Sequence, residues 1–284
     1  IGAVESTRSP TMSRIHPETR GTGALSTIIQ HRWMLRSFIS REITNRYAGS
    51  VGGVVWALVH PLAMLAIFSV LFQTIFKVRF PELERFPFVA FMAMAMWPWL
   101  AFSEGLSRGT QAIVANSPLI KKVAFPHELV VYAAVGAAFA VQMAGYAFVL
   151  IMLAVLGYAV HPLGLVWLGV FLLIQLVMTT GLALAFAAVQ AFIRDFEQFL
   201  SQALSVLFYL TPILYPISMV PSPFREVMDF NPLVHVIEPM RQALLFGTTP
   251  SWLNLAGMIV FAALTFWTGR KLFNRLSPHF EDVT

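Results

Sequence analysis

Few side chains in this sequence are placed to do covalent chemistry. The seven histidines (His16, His31, His60, His127, His161, His235 and His279) are scattered, with no pair at the spacing of a zinc-binding helix. There is no cysteine, hence no thiol nucleophile, disulfide or Cys-ligated metal. No Gly-x-x-x-x-Gly-Lys-Ser/Thr run offers a phosphate cradle, and no Gly-x-Ser-x-Gly elbow offers an activated serine. Glu104, Glu128, Asp195 and Glu197 fall at the ends of apolar stretches or in loops, and neither Glu104 nor Glu128, the two on the inner face with spans beside them, belongs to an acidic cluster. An enzyme working by acid/base or metal chemistry would need such a constellation. What remains is the chemistry of binding: cations such as Arg46, Lys121 and Lys122, and aromatic rings at helical spacing, Trp56, Phe68, Phe72 and Phe76, then Phe208, Tyr209 and Tyr215.

The elements that carry these residues are read from hydropathy. Hydrophobic residues make up 57% of the 284 and charged ones 12%, about half the charged share of a soluble domain. The expected fold is an all-α polytopic membrane protein. Six charge-free stretches, roughly 54–76, 87–103, 129–158, 163–192, 199–217 and 251–269, are each read as a span, since a helix needs about 20 apolar residues to cross ~30 Å of hydrocarbon. Fourteen of the 19 Lys and Arg fall on the side of the N-terminus and five on the other, so both termini are expected in the cytoplasm. The net charge of +5 is therefore read as topology rather than as nucleic-acid binding, and no nucleic-acid partner is expected. Proton- or sodium-driven carriers keep an ionisable group at depth; here the stretches offer His60, Gln73, Gln142, Gln175 and Gln190, which disfavours ion coupling.

Around the spans, residues 1–23 read as a polar tail without the apolar core of a signal peptide. The chain opens with Ile, and Ile1 to Thr11 are expected to precede a native start at Met12. Residues 24–50 read as an amphipathic interface helix, with Leu35, Phe38, Ile39, Ile43 and Tyr47 at three- and four-residue spacing. Its arginines could snorkel at a lipid surface; the competing reading is a solvated helix packed on its own protein. Residues 51–284 form the six-span domain, with a cytoplasmic loop at 108–128 and an outer segment at 218–250. The latter is too charged to span and too apolar for a loop, and five prolines divide it. Short helices dipping in from the outer face fit it, with an outer-surface hairpin as the alternative. Gly136, Ala140 and Ala144, and the pair Gly181 and Ala185, have the spacing of close helix contacts in lipid.

Several pieces then fall into one order: Arg41-Glu42 to Arg46-Tyr47-x-Gly49-Ser50-x-x-Gly53-x-x-Trp56 and Pro61, then Asn116, Leu119-Ile120-Lys121-Lys122 and Phe125-Pro126. Arg194-Asp195-Phe196, Thr211-Pro212-Ile213-Leu214-Tyr215-Pro216, Asn231-Pro232-Leu233 and the ending Leu276-Ser277-Pro278-x-Phe280-Glu281-Asp282-Val283 follow. The set resembles the transmembrane permease of type-2 ABC exporters for bacterial polysaccharides. It is nearest to O-antigen permeases, with teichoic-acid and group 2 capsule permeases as relatives, and the likeness runs over nearly all of residues 30–284. Capsule relatives carry Arg-Phe-Gly where this chain has Arg46-Tyr47-Ala48-Gly49.

That resemblance implies a homodimer in the bacterial inner membrane, docked to two separate ABC ATPase subunits that bind ATP and Mg. No cofactor or metal is expected on this chain. The implied cargo is a polyprenyl-pyrophosphate-linked glycan. Ser117, Leu119, Ile120, Lys121, Lys122 and Phe125 would form the main coupling element, and Arg194 and Asp195 the second contact with the ATPase. Arg46, Tyr47, Lys121 and Lys122 would meet the pyrophosphate at the cytoplasmic entry, with anionic membrane lipid as an equal rival. The aromatic residues of the first and fifth spans would line the channel, where apolar sugar faces slide on rings; packing or lipid contact is the competing role for each. Phe224, Phe230, Asn231, Glu238 and Arg241 would belong to the periplasmic gate. A permease for capsule, teichoic acid, or a small molecule or lipid is the alternative function, and a membrane enzyme on polyprenyl-linked sugars the reading from another class.

Overall fold

Lipid offers no hydrogen bonds to the backbone, so an apolar chain must satisfy its N–H and C=O groups internally, which favours helices. The computed structural model, which describes residues 23–49, 52–53, 55–77, 88–158 and 161–280, is helical accordingly, with no strand among the described residues. Residues 1–22 and the ending Glu281–Val283, on which parts of the sequence reading fall, lie outside them, and the side chain of Tyr47 is not described either. In order, the elements are α1 (Ala24–Gln30), α2 (Arg32–Tyr47) and α3 (Val55–Ser69), which runs into a π-helical segment at Val70–Ile75. Then come α4 (Phe88–Ala115), α5 (Ser117–Ile120), α6 (Glu128–Val155) and α7 (Pro162–Phe192). The chain ends with α8 (Phe196–Leu210), α9 (Ser222–Met228), α10 (Pro232–Phe246) and α11 (Trp252–Leu276).

Among the described residues, five helical stretches are long and apolar enough to cross a membrane: Leu58–Ile75, Phe88–Ala115, Glu128–Val155, Pro162–Phe192 and Trp252–His279. The sixth expected stretch, 199–217, does not continue as one helix. α8 holds 15 residues, about 22 Å at 1.5 Å per residue, and Thr211 turns extended (φ −102°, ψ 133°). The cause is local: Pro212 has no N–H and disfavours a helical residue before it.

α4 is the centre of the bundle. Phe91 to Trp99 are all buried, and α6, α7, α3, α8 and α10 pack around them. Small residues let the backbones approach. A Cβ on Gly109 would lie 2.6 Å from the Ala183 Cβ and 2.9 Å from Val135. The tightest crossing joins α7 to α11, where a Cβ on Gly269 would collide with the Gly181 carbonyl and one on Gly181 would fall 2.5 Å from the Phe266 backbone. Gly136 instead faces Ile39 of α2, while Ala140 and Ala144 are exposed.

Two prolines inside helices are compensated from neighbouring helices. Pro98 lacks the N–H that would bond the Met94 carbonyl, and the Tyr146 hydroxyl of α6 donates to that carbonyl at 3.0 Å. Pro239 likewise leaves the His235 carbonyl of α10 without its helical donor, and Asn254 Nδ2 of α11 donates to it at 3.0 Å.

Candidate functional site

Chemistry-bearing side chains gather at the two ends of the bundle and on one helix face between them. The first end is built on α5. Asn116, preceding α5, donates from Nδ2 to the Ala112 carbonyl at 2.8 Å and accepts from Arg41 of α2. Ile120 and Phe125 are buried, Leu119 and Ser117 half-buried, and the Phe125 ring meets Phe38 of α2 edge-on at 5.6 Å. This packing leaves Lys121, Lys122, Val123 and Ala124 exposed on a short, pinned loop. Arg194 and Asp195 are exposed in the turn from α7 to α8 at the same end. Gln190 Nε2 fixes that turn through the Arg194 carbonyl at 3.0 Å, and Gln111 of α4 bonds Glu197 at the start of α8.

α2 is bound to this end by charge as well. Glu104 Oε1 accepts from Arg46 at 2.6 Å and from Arg108 Nε at 2.7 Å, and its Oε2 accepts from Gln142 of α6 at 2.6 Å. Glu42 adds a longer bond to Arg108, 3.4 Å. One carboxylate thus joins α2, α4 and α6. Glu128 is engaged in the same way, accepting from Arg270 of α11 at 2.9 and 3.1 Å and from the Tyr132 hydroxyl at 3.2 Å. Both carboxylates that an enzyme might have used near the membrane are therefore occupied as clamps between helices. The exposed face of α2 carries Arg32, Trp33, Arg36 and Arg41, so the helix both packs on its own protein, through Leu35, Phe38 and Ile39, and presents cations outward.

The opposite end is built on α10. Asn231 caps it, accepting from the Leu233 N–H at 3.0 Å, and its Nδ2 donates to Thr211 Oγ1 at 2.9 Å. Arg241 is fully buried; it pairs with Glu238, donates to the Pro212 carbonyl at 2.8 Å and lies 3.7 Å over the Phe91 ring. Asn231, Glu238 and Arg241 therefore hold the 211–212 break against α10 and α4. Phe224 and Phe230 are exposed, the latter 88%. Phe76 is exposed, as is Trp56 near the other end of α3, while Phe68 and Phe72 are half-buried, and the Phe72 ring meets Phe88 at 5.2 Å with the planes tilted by 32°.

α8 has three distinct faces. Leu200, Leu204 and Leu207 pack inward, with Phe208 against Trp99 at 5.6 Å. Phe199, Ala203, Val206 and Leu210 form an exposed apolar face. Gln198, Ser201, Gln202, Ser205 and Tyr209, three or four residues apart, form an exposed polar stripe. Ser205 Oγ bonds the Ser201 carbonyl of its own helix; the stripe makes no side-chain bond to another helix among the described residues. Aromatic spacing drew the sequence reading to Phe208, Tyr209 and Tyr215. The structure turns Phe208 inward and leaves Tyr209 outward, and Tyr215 donates to the Tyr209 carbonyl at 2.6 Å. The amide and hydroxyl stripe is not among the residues that aromatic spacing picks out; its signal in the sequence is the 3.6-residue period of its polar residues.

Comparison with known proteins gives these features a family context. The model of the family described as "ABC-2 type transporter" matches residues 35–245. An O-antigen export system permease protein RfbA of Klebsiella pneumoniae is 28% identical over 86% of this chain and 92% of its own length. One from Myxococcus xanthus is 26% identical over 90% and 96%. The polysialic acid transport protein KpsM of Escherichia coli is 24% identical over 82% and 89%.

Proposed function

The chain belongs to the ABC-2 type transporter family, and from that premise we propose that it is the membrane subunit of an ATP-driven exporter of a bacterial surface polysaccharide, O-antigen in type. The names of its relatives supply the cargo class. The observation that carries the reading is the polar stripe of α8. Amides and hydroxyls facing outward from a membrane-embedded subunit would be costly against lipid, and they are accommodated if they line a water-filled path closed by a second copy. Serine, glutamine and tyrosine side chains suit a sugar polymer, which needs weak, repeated contacts rather than one tight grip.

On this reading α8 is completed as a sixth crossing by residues 211–216, with α9 and α10 beside it at the outer face. The α5 end faces the cytoplasm, in keeping with the excess of Lys and Arg on that side. Lys121 and Lys122, on the loop pinned by Ile120 and Phe125, and the Arg194–Asp195 turn would receive two ATPase subunits, which supply ATP and Mg. Lys121 would also be available to a phosphate-bearing cargo at the entry. Arg46 contributes there mainly by holding α2, since Glu104 engages it. The protein would sit in the inner membrane as a homodimer.

The absence of cysteine makes the test direct. Single cysteines at Ser201, Gln202 and Ser205 should react with a water-soluble maleimide in sealed membranes containing the assembled exporter, whereas cysteines at Ala203 and Val206 should not. Equal reactivity of both faces, or none on the polar one, would refute the path. Purified alone, the chain is expected to hydrolyse no ATP, with hydrolysis appearing when an ATPase subunit is co-expressed.

A further inference from the structure

The piece Leu276-Ser277-Pro278-x-Phe280 lies at the α5 end, but on neither of the loops assigned to the ATPase. Pro278 has no N–H with which to extend α11, and Ser277–His279 tighten into a 3-10 turn. Phe280 follows, and its side chain is fully buried. Three rings hold it: Phe273 of α11, edge-on at 5.2 Å, Phe192 at the end of α7, at 6.2 Å, and the imidazole of His127, also at 6.2 Å. These separations fall within the ~4.5–7 Å over which aromatic pairs attract.

Two of these neighbours belong to different loops. His127 ends the loop that presents Lys121 and Lys122, and its ring meets Phe125 edge-on at 5.6 Å. Phe192 stands two residues before Arg194, at the start of the α7–α8 turn. Since Phe125 also meets Phe38, ring contacts run from α2 through the loop to Phe280 and on to the turn. α11 grips the loop a second time: Arg270 bonds Glu128, the residue after His127, at 2.9 and 3.1 Å. A buried ring touching both loops transmits displacement, because a packed interior cannot give way around one side chain alone. We propose that Phe280 is a positioning residue that keys the 121–127 loop and the 192–196 turn into one docking platform, so that an ATPase subunit engages both as a unit. The proposal rests on the docking role given to these loops above, and adds the segment after α11 as the part that makes their two contacts interdependent.

Amide exchange of the full chain in lipid nanodiscs reads the platform without the ATPase. Phe280→Ala should raise exchange about tenfold or more in residues 119–127 and 192–196 together, as the emptying of a buried aromatic site implies, and leave α9 and α10 unchanged. Phe280→Leu, which keeps an apolar side chain in place, should restore most of the protection. Phe192 is 43% exposed, so Phe192→Ala spares the buried site; it should raise exchange in 192–196 and leave 119–127 as it was. With Phe280→Ala, a rise in one loop alone or a uniform rise along the chain would overturn the platform. Binding of the ATPase subunit to the same nanodiscs gives a readout that a merely structural role would not move. Lys122→Ala and Asp195→Ala should each weaken binding, and the double variant should lose clearly less than the product of the two losses. In the Phe192→Ala background, where the turn is released from Phe280, the losses should simply multiply; this cycle decides the matter even if Phe280→Ala fails to fold. Losses that already multiply in the otherwise unaltered chain would refute the platform alone. If neither substitution weakens binding, the docking role of the loops is refuted and the platform's role in it falls too.

Discussion

At the scale of single residues, the structure is held by side chains that answer faults in the backbone. Pro98 and Pro239 each leave a carbonyl inside a packed helix without its donor, and Tyr146 and Asn254 supply the replacements from other helices. Leaving such a carbonyl unpaired costs about 1–3 kcal/mol. Tyr146→Phe and Asn254→Ala should each cost about that much stability, read as a lower melting temperature in detergent. The sharper expectation is coupling: once Pro239→Ala restores the helical N–H, Asn254→Ala should cost much less, a non-additivity that a double-mutant cycle reads directly. Arg241 obeys a different rule. Removing either partner of a buried pair leaves an uncompensated charge worth ~3–5 kcal/mol, whereas an apolar replacement of both is often tolerated. Arg241→Ala should therefore be severely destabilising in thermal unfolding, and the pair Glu238→Leu with Arg241→Met much less so. The sequence displays the partners of both prolines, Tyr146 and Asn254, as ordinary polar residues. That Pro98 lies between two deep tryptophans is legible from hydropathy, but which distant hydroxyl reaches its orphan carbonyl depends on how α6 packs on α4.

At the scale of elements, the sequence announces apolar helices well and their contacts poorly. The small-residue spacing of Gly181 and Ala185 marks α7 as a helix with a close neighbour, and α11 does cross it there. Its counterpart Gly269 is flagged only by Thr265 four residues before it, because a crossing point needs one missing side chain on each helix rather than a pair of glycines or alanines. Gly181→Ala and Gly269→Ala should both force the two backbones apart, with a loss of more than ~2 kcal/mol, as for overpacked cores, and reduced yield of folded protein in fluorescence-detected size exclusion. Gly257→Ala on the same α11 meets open space and should be neutral or slightly stabilising, since alanine is the better helix former. The stretch 199–217 shows the opposite limit. Averaged hydropathy reads it as one continuous span, yet Pro212 ends the helix at Leu210, and the turn is then fastened to α10 by Asn231 and Arg241. Composition can suggest that 218–250 folds as short helices; it has no means of showing that α10 packs deeply enough to bury an arginine.

At the scale of the whole molecule, polar contacts divide between two ends separated by an apolar bundle, and the division sets which parts should respond together. α2 is tied to α4, to the loop around α5 and to α6 through one set of contacts: Arg46 on Glu104, which also binds Gln142 of α6, Glu42 on Arg108, Arg41 on Asn116, and Phe38 on Phe125. The loop that presents Lys121 and Lys122 is thus held partly by α2, so loosening α2 should loosen the loop as well. Glu104→Gln keeps the size of the side chain but removes the charge that two arginines share. Weakening charge-assisted bonds worth about 1.5–3 kcal/mol each should raise amide exchange roughly tenfold or more across α2 and residues 117–125 together, because local opening sets those rates. Exchange in α10 should stay unchanged, since its capping and its buried arginine belong to the other end. Exchange that rises in α2 alone would mean that the loop is held by Ile120 and Phe125 without help from α2. A uniform rise across the chain would mean that Glu104 supports the entire bundle and is not part of a distinct unit at the α5 end.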